Sequence, residues 1–212
     1  MREQFTRLQN LCDLLEKTLG EEAKRRDADG KRQLEGVEDE EEQGWLSVDI
    51  ENSLFEVNRD FPRIVRYSLL VSMMSTTEAC LVRLCRHACC DLGISEFNEK
   101  GIAVIKRALD YLHDEAGLDT SGESSYKMRA DNLSKLRNAI THSEGRIKEH
   151  KDENAIRIFA QNHPSAIEID IRDNIILLEG FVSHTAHGMT MLIDRLRRKL
   201  QKKIDTQTGQ NN

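Results

Sequence analysis

Apolar residues recur at helical spacing along most of this chain, and the breaks in that rhythm divide it into segments. Phe5, Leu8, Cys12, Leu15 and Leu19 fall three or four residues apart, which predicts a helix over 3–26 with one apolar seam. That seam can pack on its own domain or join two chains. Residues 27–44 lose the rhythm and turn polar around Glu38-Asp-Glu-Glu-Glu42, so a mobile linker or loop is expected there. Helical spacing resumes from Trp45 to Asn58. Asp60 is a suitable N-cap and Pro62 suits a first helical turn, so a new helix is expected from 61 to about 92. Leu69, Leu70, Met73, Met74, Leu81 and Leu84 make it apolar on most sides, and it reads as the central helix. Glu78 is the lone acid in its middle, and either pairs with an arginine of the helix that ends at His142 or faces solvent.

Asp91-Leu-Gly93 closes that helix. Ile102, Ile105, Ala108, Leu109 and Leu112 predict a shorter amphipathic helix closed by Gly117. Gly122-Glu-Ser-Ser turns into another helix that runs to His142, with Gly145 as its stop. Between 166 and 177 the period changes to alternation on either side of Arg172-Asp-Asn174, which predicts a small β-hairpin. Val182, Met189, Leu192, Leu196 and Leu200 mark a last helix over 179–203. It ends in a basic cluster from Arg195 to Lys203, which suits a helix C-terminus. A disordered tail is expected over 205–212. The fold class is therefore all-α: an amphipathic helix (1–26), a linker (27–44) and a helical bundle (45–204) with one hairpin insertion.

Composition supports that class. Proline occurs only twice and aromatics are 5% of 212 residues, which argues against a β-sandwich and against base-stacking sheet surfaces. The net charge of −6 is not that of a general nucleic-acid coat. The charge is uneven, however. Residues 1–45 hold thirteen acids against eight bases, whereas 125–151 hold seven bases against three acids. The second zone can meet phosphates. Five cysteines (Cys12, Cys80, Cys85, Cys89, Cys90), four of them on one predicted helix, fit a reducing compartment, so a cytoplasmic protein is expected. Met1-Arg-Glu-Gln opens an amphipathic segment and not a signal peptide, and Tyr67 to Val82, the nearest approach to a membrane span, is interrupted by Ser, Thr and Glu.

The basic zone contains Arg137-Asn138-Ala139-Ile140-Thr141-His142. Helical geometry puts Tyr126, Leu133, Leu136 and Ile140 on one face, to be packed in the core. Arg137 borders that face, so its stem can lie on the apolar seam while the guanidinium reaches the edge. Asn138 and His142 lie one turn apart and project away from it. A fixed cation, an amide and a titratable base are the groups that phosphodiester chemistry uses. The same residues also fit a helix end whose dipole is satisfied by Arg and His, with no further role. Two other clusters carry less. Cys85-x-His87-x-Cys89-Cys90 lies on one continuous helix, where four ligands do not converge on a tetrahedral ion. His184 and His187 lack the Glu-x-x-His elements of a carboxylate-bridged metal site. No metal or cofactor is expected.

Leu136-Arg-Asn-Ala-Ile-Thr-His142, late in a helical domain, resembles the signature of the HEPN (higher eukaryotes and prokaryotes nucleotide-binding) family, Arg-x(4–6)-His with a polar residue after the Arg. The likeness spans roughly 45–203 and is specific only at Arg137, Asn138 and His142. It implies a HEPN-like bundle and a metal-independent endoribonuclease, usually a homodimer with paired motifs lining one cleft. It also implies a toxin–antitoxin or phage-defence role, with an antitoxin or nucleotidyltransferase as partner. Some family members have lost catalysis and bind RNA, a nucleotide or a protein. On this resemblance Arg137, Asn138 and His142 are the catalytic residues. Glu78 and Thr141 support them, and Lys135, Arg146 and Lys148 contact RNA phosphates.

Overall fold

The computed structural model describes residues 2–101 and 103–209. Helix α1 (Arg2–Glu35) and helix α2 (Glu40–Phe55) form a hairpin. A wider π-helical turn (Glu56–Asp60) then leads into α3 (Phe61–Leu92). Helices α4 (Val104–Asp114), α5 (Ser124–Ser143) and α6 (Glu153–Gln161) follow. Strands β1 (Ile167–Ile169) and β2 (Ile175–Leu177) precede the last helix, α7 (Phe181–Gly209). The molecule is predominantly helical, as the spacing predicted, with one antiparallel two-stranded sheet. Ile102 lies outside the described residues.

Helix α3 is the hub. Its Leu70, Met73, Met74, Cys80, Leu81, Cys85 and Ala88 have no exposed surface, and α1, α4, α5 and α7 all pack against it. The continuous helix from Glu40 to Leu92 is long enough, and apolar enough over one window, to cross a membrane; half of that window is buried within this chain, as a core helix also requires. Gly93, at φ 64°, supplies the left-handed residue that stops α3. Helix α1 belongs to the same core, with Phe5 and Cys12 buried and Arg66 of α3 holding Glu16 at 2.6 Å. The apolar seam of α1 thus packs on its own domain.

Four local expectations change. Residues 27–35 continue α1 and 40–44 begin α2, leaving only 36–39 as a turn where a long linker was expected. Ion pairs at helical spacing, Lys31 with Asp27 and Arg32 with Asp29, support the polar stretch, and the Asp39 side chain caps the Glu42 amide. Asp60 is not an N-cap: it is helical, at φ −73°, with no capping hydrogen bond. Pro62 lies in the first turn of α3, directly after the π turn, whose wider ring relieves the clash of proline with the preceding carbonyls. Residues 153–161 form a helix that the apolar spacing had not predicted, burying Ile156, Phe159 and Ala160. Finally, α7 continues to Gly209, past the point where a tail was expected. Its basic cluster is used sideways more than along the helix dipole: Lys199 meets the buried Glu123 at 2.9 Å, and Arg195 lies over the Tyr126 ring.

The hairpin forms where alternation predicted it. Ile167 pairs with Leu177 and Ile169 with Ile175. Asp170 makes its turn, accepting hydrogen bonds from the Arg172 and Asn174 amides. Burial pushes the Asp170 carboxyl up, but these hydrogen bonds and the charge of Arg59, 2.8 Å away, bring it below its ordinary value.

Candidate site at the end of helix α5

The apolar face of α5 explains how the motif is presented. Ala130, Leu133, Leu136, Ala139 and Ile140 are buried against the bundle, which turns Thr141 and His142 outward and leaves Arg137 and Asn138 at the margin. Arg137 Nη2 donates to Glu78 Oε1 of α3 at 3.0 Å, so of the two alternatives for Glu78 the molecule adopts the pair. Both side chains are about three-quarters buried. The pair is incompletely satisfied, because Arg137 Nε is buried with no hydrogen-bond partner among the described residues. The contact holds the guanidinium against α3.

Asn138 and His142 make no side-chain hydrogen bond among the described residues, and His142 is exposed. Thr141 does not reach toward them; its hydroxyl donates back to the Arg137 carbonyl at 2.8 Å. It is therefore part of the helix's own bonding.

The stop of α5 is built with more care than its sequence advertises. Glu144 and Gly145 both have positive φ, 51° and 85°, and the Gly145 amide reaches back to the Ala139 carbonyl at 3.1 Å. A Cβ on Gly145 would lie 2.1 Å from the Tyr67 hydroxyl. That hydroxyl donates to the Ile175 carbonyl of β2, while the Ile175 amide donates to the Gly145 carbonyl at 2.9 Å. The next residues then pair with the hairpin: the Ile147 amide donates to the Asp173 carbonyl, and Arg146 bridges Asn174. The hairpin thus fixes the backbone immediately after His142. Sequence reasoning missed Tyr67, which looks like one more apolar position of a core helix. Its partner Gly145 was legible only as a stop. Burial pushes the Tyr67 hydroxyl up to about 12, as expected of a group held as a neutral donor.

The basic zone divides once side chains are placed. Lys135 is paired with Asp131 one turn earlier at 2.6 Å, and Lys127 is paired with Asp110 of α4. Arg146 and Lys148 are exposed and carry no ion pair among the described residues. Two of the three residues assigned to phosphate contact are therefore open cations, and the third is already neutralised. The spacing Asp131-x3-Lys135 was the visible sign. Cys85 is buried, with its thiol pushed up to about 12 by burial, and among the described residues no three His, Cys, Asp or Glu side chains converge on a point. No protein-family model, curated protein or solved structure matches this chain.

Proposed function

We propose that this chain is a cytoplasmic, metal-independent endoribonuclease of HEPN type that works as a two-fold dimer through Arg137, Asn138 and His142. The observation that carries the reading is the contrast within about one helical turn: Arg137 is anchored by Glu78, whereas the side chains of Asn138 and His142 make no hydrogen bond among the described residues. A second copy would cover that face and bring two motifs together. One His142 would then take the 2′-hydroxyl proton as the 2′-oxygen attacks phosphorus, and the other would protonate the departing 5′-oxygen. Arg137 would meet the extra negative charge on phosphorus, and Arg146 and Lys148 the flanking phosphates. A toxin–antitoxin or phage-defence role, with an antitoxin or nucleotidyltransferase as partner, belongs to the same proposal.

One observation favours the second reading, a HEPN-like module that binds without cutting. The charge of Arg137 already has a carboxylate, and a guanidinium held this way also serves simply to lock α5 to α3.

The test is single-stranded RNA in the presence of EDTA, with wild type and His142→Ala. His142 is exposed and its side chain makes no hydrogen bond among the described residues, so its loss leaves the fold intact. Cleavage by wild type should fall about 100-fold or more in the variant. Equal product from both proteins, or none from either, sinks the enzymatic reading. A monomeric mass in solution would remove the shared site.

A further inference from the structure

The most exposed aromatic side chain among the described residues is Trp45 of α2, at 71% exposure, and it is not alone: Val48 and Phe55 stand at 51% and 50%. Residues 45, 48, 52 and 55 follow helical spacing, so these three apolar side chains form one ridge. Helix α2 has no buried residue at all, although it contains as many apolar positions as an ordinary core-facing helix. Its inner face is already committed to α1. Ile50 sits so close over Gly30 that a Cβ there would lie 2.7 Å from Ile50 Cγ2, and Arg26 donates to the Ser53 hydroxyl at 2.9 Å. The helix cannot roll its ridge inward without breaking that contact.

Charge narrows what can cover the ridge. Between residues 36 and 58 there are eight acids, the run Glu38 to Glu42 with Asp49, Glu51 and Glu56, and no base; the first base after them, Arg59, lies over the Phe55 ring. Glu56 leans toward Arg26 of α1; the others stand in solvent or cap the helix. On the wheel Asp49 and Glu51 flank the ridge on its two sides, and Glu41 lies in line with it one turn before Trp45. An RNA backbone and an anionic bilayer are repelled by such a surface. A protein groove with an apolar floor and a rim of Lys and Arg is complementary to it on both counts. We propose that α2 is a docking ridge for a protein partner of that kind, inserted as a helix in a groove with Trp45 and Phe55 as its anchors. The ridge is independent of the ribonuclease reading and stands whether or not that reading fails.

Trp45 is the chain's one tryptophan, so its fluorescence reports the ridge directly. The probe is a synthetic amphipathic helical peptide of Leu and Lys, with the same peptide carrying Glu for Lys as control. The Lys peptide should shift Trp45 emission to shorter wavelength and saturate, and the Glu peptide should leave it unchanged. Val48→Ala/Phe55→Ala should weaken binding about tenfold. Glu41→Gln/Asp49→Asn/Glu51→Gln should weaken it about fivefold or more at low salt, a difference that disappears at high salt. All five positions are exposed, and circular dichroism checks that each variant remains helical. The absence of a shift, an equal response to the Glu peptide, or unchanged affinity in either variant overturns the proposal. So does a shift that grows with protein concentration alone, which would assign the ridge to a second copy.

Discussion

Helices α3 and α2 belong to one continuous helix, yet they meet opposite fates. Helix α3 buries Leu70, Met73, Met74 and Leu81 completely, while α2, a few residues earlier, buries nothing and presents Trp45 to solvent. Helical periodicity is similar in both, so periodicity alone does not say whether an apolar stripe has found its partner. What differs is the surroundings. Helix α3 is enclosed by four other helices, whereas α2 has only one side of α1, where Gly30 permits a close approach. The candidate catalytic face lies between these extremes: Arg137 is held by α3, and His142 is not held by anything described.

The largest effect expected on the bundle side comes from Gly145→Ala. It places a Cβ at positive φ and against the Tyr67 hydroxyl, and should cost about 3 kcal/mol in chemical denaturation. A loss below about 1 kcal/mol would mean that the hairpin does not fix the end of α5. Next is Glu78→Ala, which leaves a largely buried guanidinium without its carboxylate and should cost about 1–2 kcal/mol. If the variant is as stable as wild type, the anchored side of the site is not anchored.

Tyr67→Phe removes one partly buried hydrogen bond to β2 and should cost about 1 kcal/mol. Its pH dependence has a definite sign. The folded hydroxyl titrates at about 12 against an ordinary 10.0, so the neutral form is the one the fold favours. The contribution is full below pH 10.0 and is lost as the pH rises toward 12. Alkaline denaturation should separate wild type from the variant in that interval, and parallel curves would refute the assignment. Asp170 runs the other way. Its folded pKa is lowered, so what it adds to the hairpin is present above the ordinary carboxylate range and fades as the pH falls through it. Amide exchange at Arg172 and Asn174 should quicken only in strong acid. The smallest effect belongs to the exposed helix: Trp45→Ala should change stability by no more than about 0.5 kcal/mol. A larger loss would show that α2 packs more than its exposure indicates.

Much of this architecture was legible residue by residue. Leu133, Leu136 and Ile140 announced the buried face of α5, and with it the outward direction of His142. Gly93 and Gly145 announced two helix stops, because a left-handed residue is the simplest way to end a helix. Ile167 to Leu177 announced its hairpin by a change of period. Two of the errors have one source. Residues 27–35 and Asp60 were judged by local composition, but a polar stretch laced with i, i+4 ion pairs stays helical, and a proline is tolerated where the helix widens.

The sequence by itself determined which faces are apolar, where most helices stop, and that Arg137, Asn138 and His142 share one helix end. These are consequences of fixed helical geometry, which relates residues three or four apart whatever surrounds them. Only the tertiary structure decided that Glu78 takes Arg137, that Asp110 takes Lys127, that Tyr67 reaches across to the hairpin, and that the ridge of α2 is left uncovered. Those outcomes join residues 17 to 108 positions apart, or depend on what is missing beside a helix. Spacing along a chain carries no record of either.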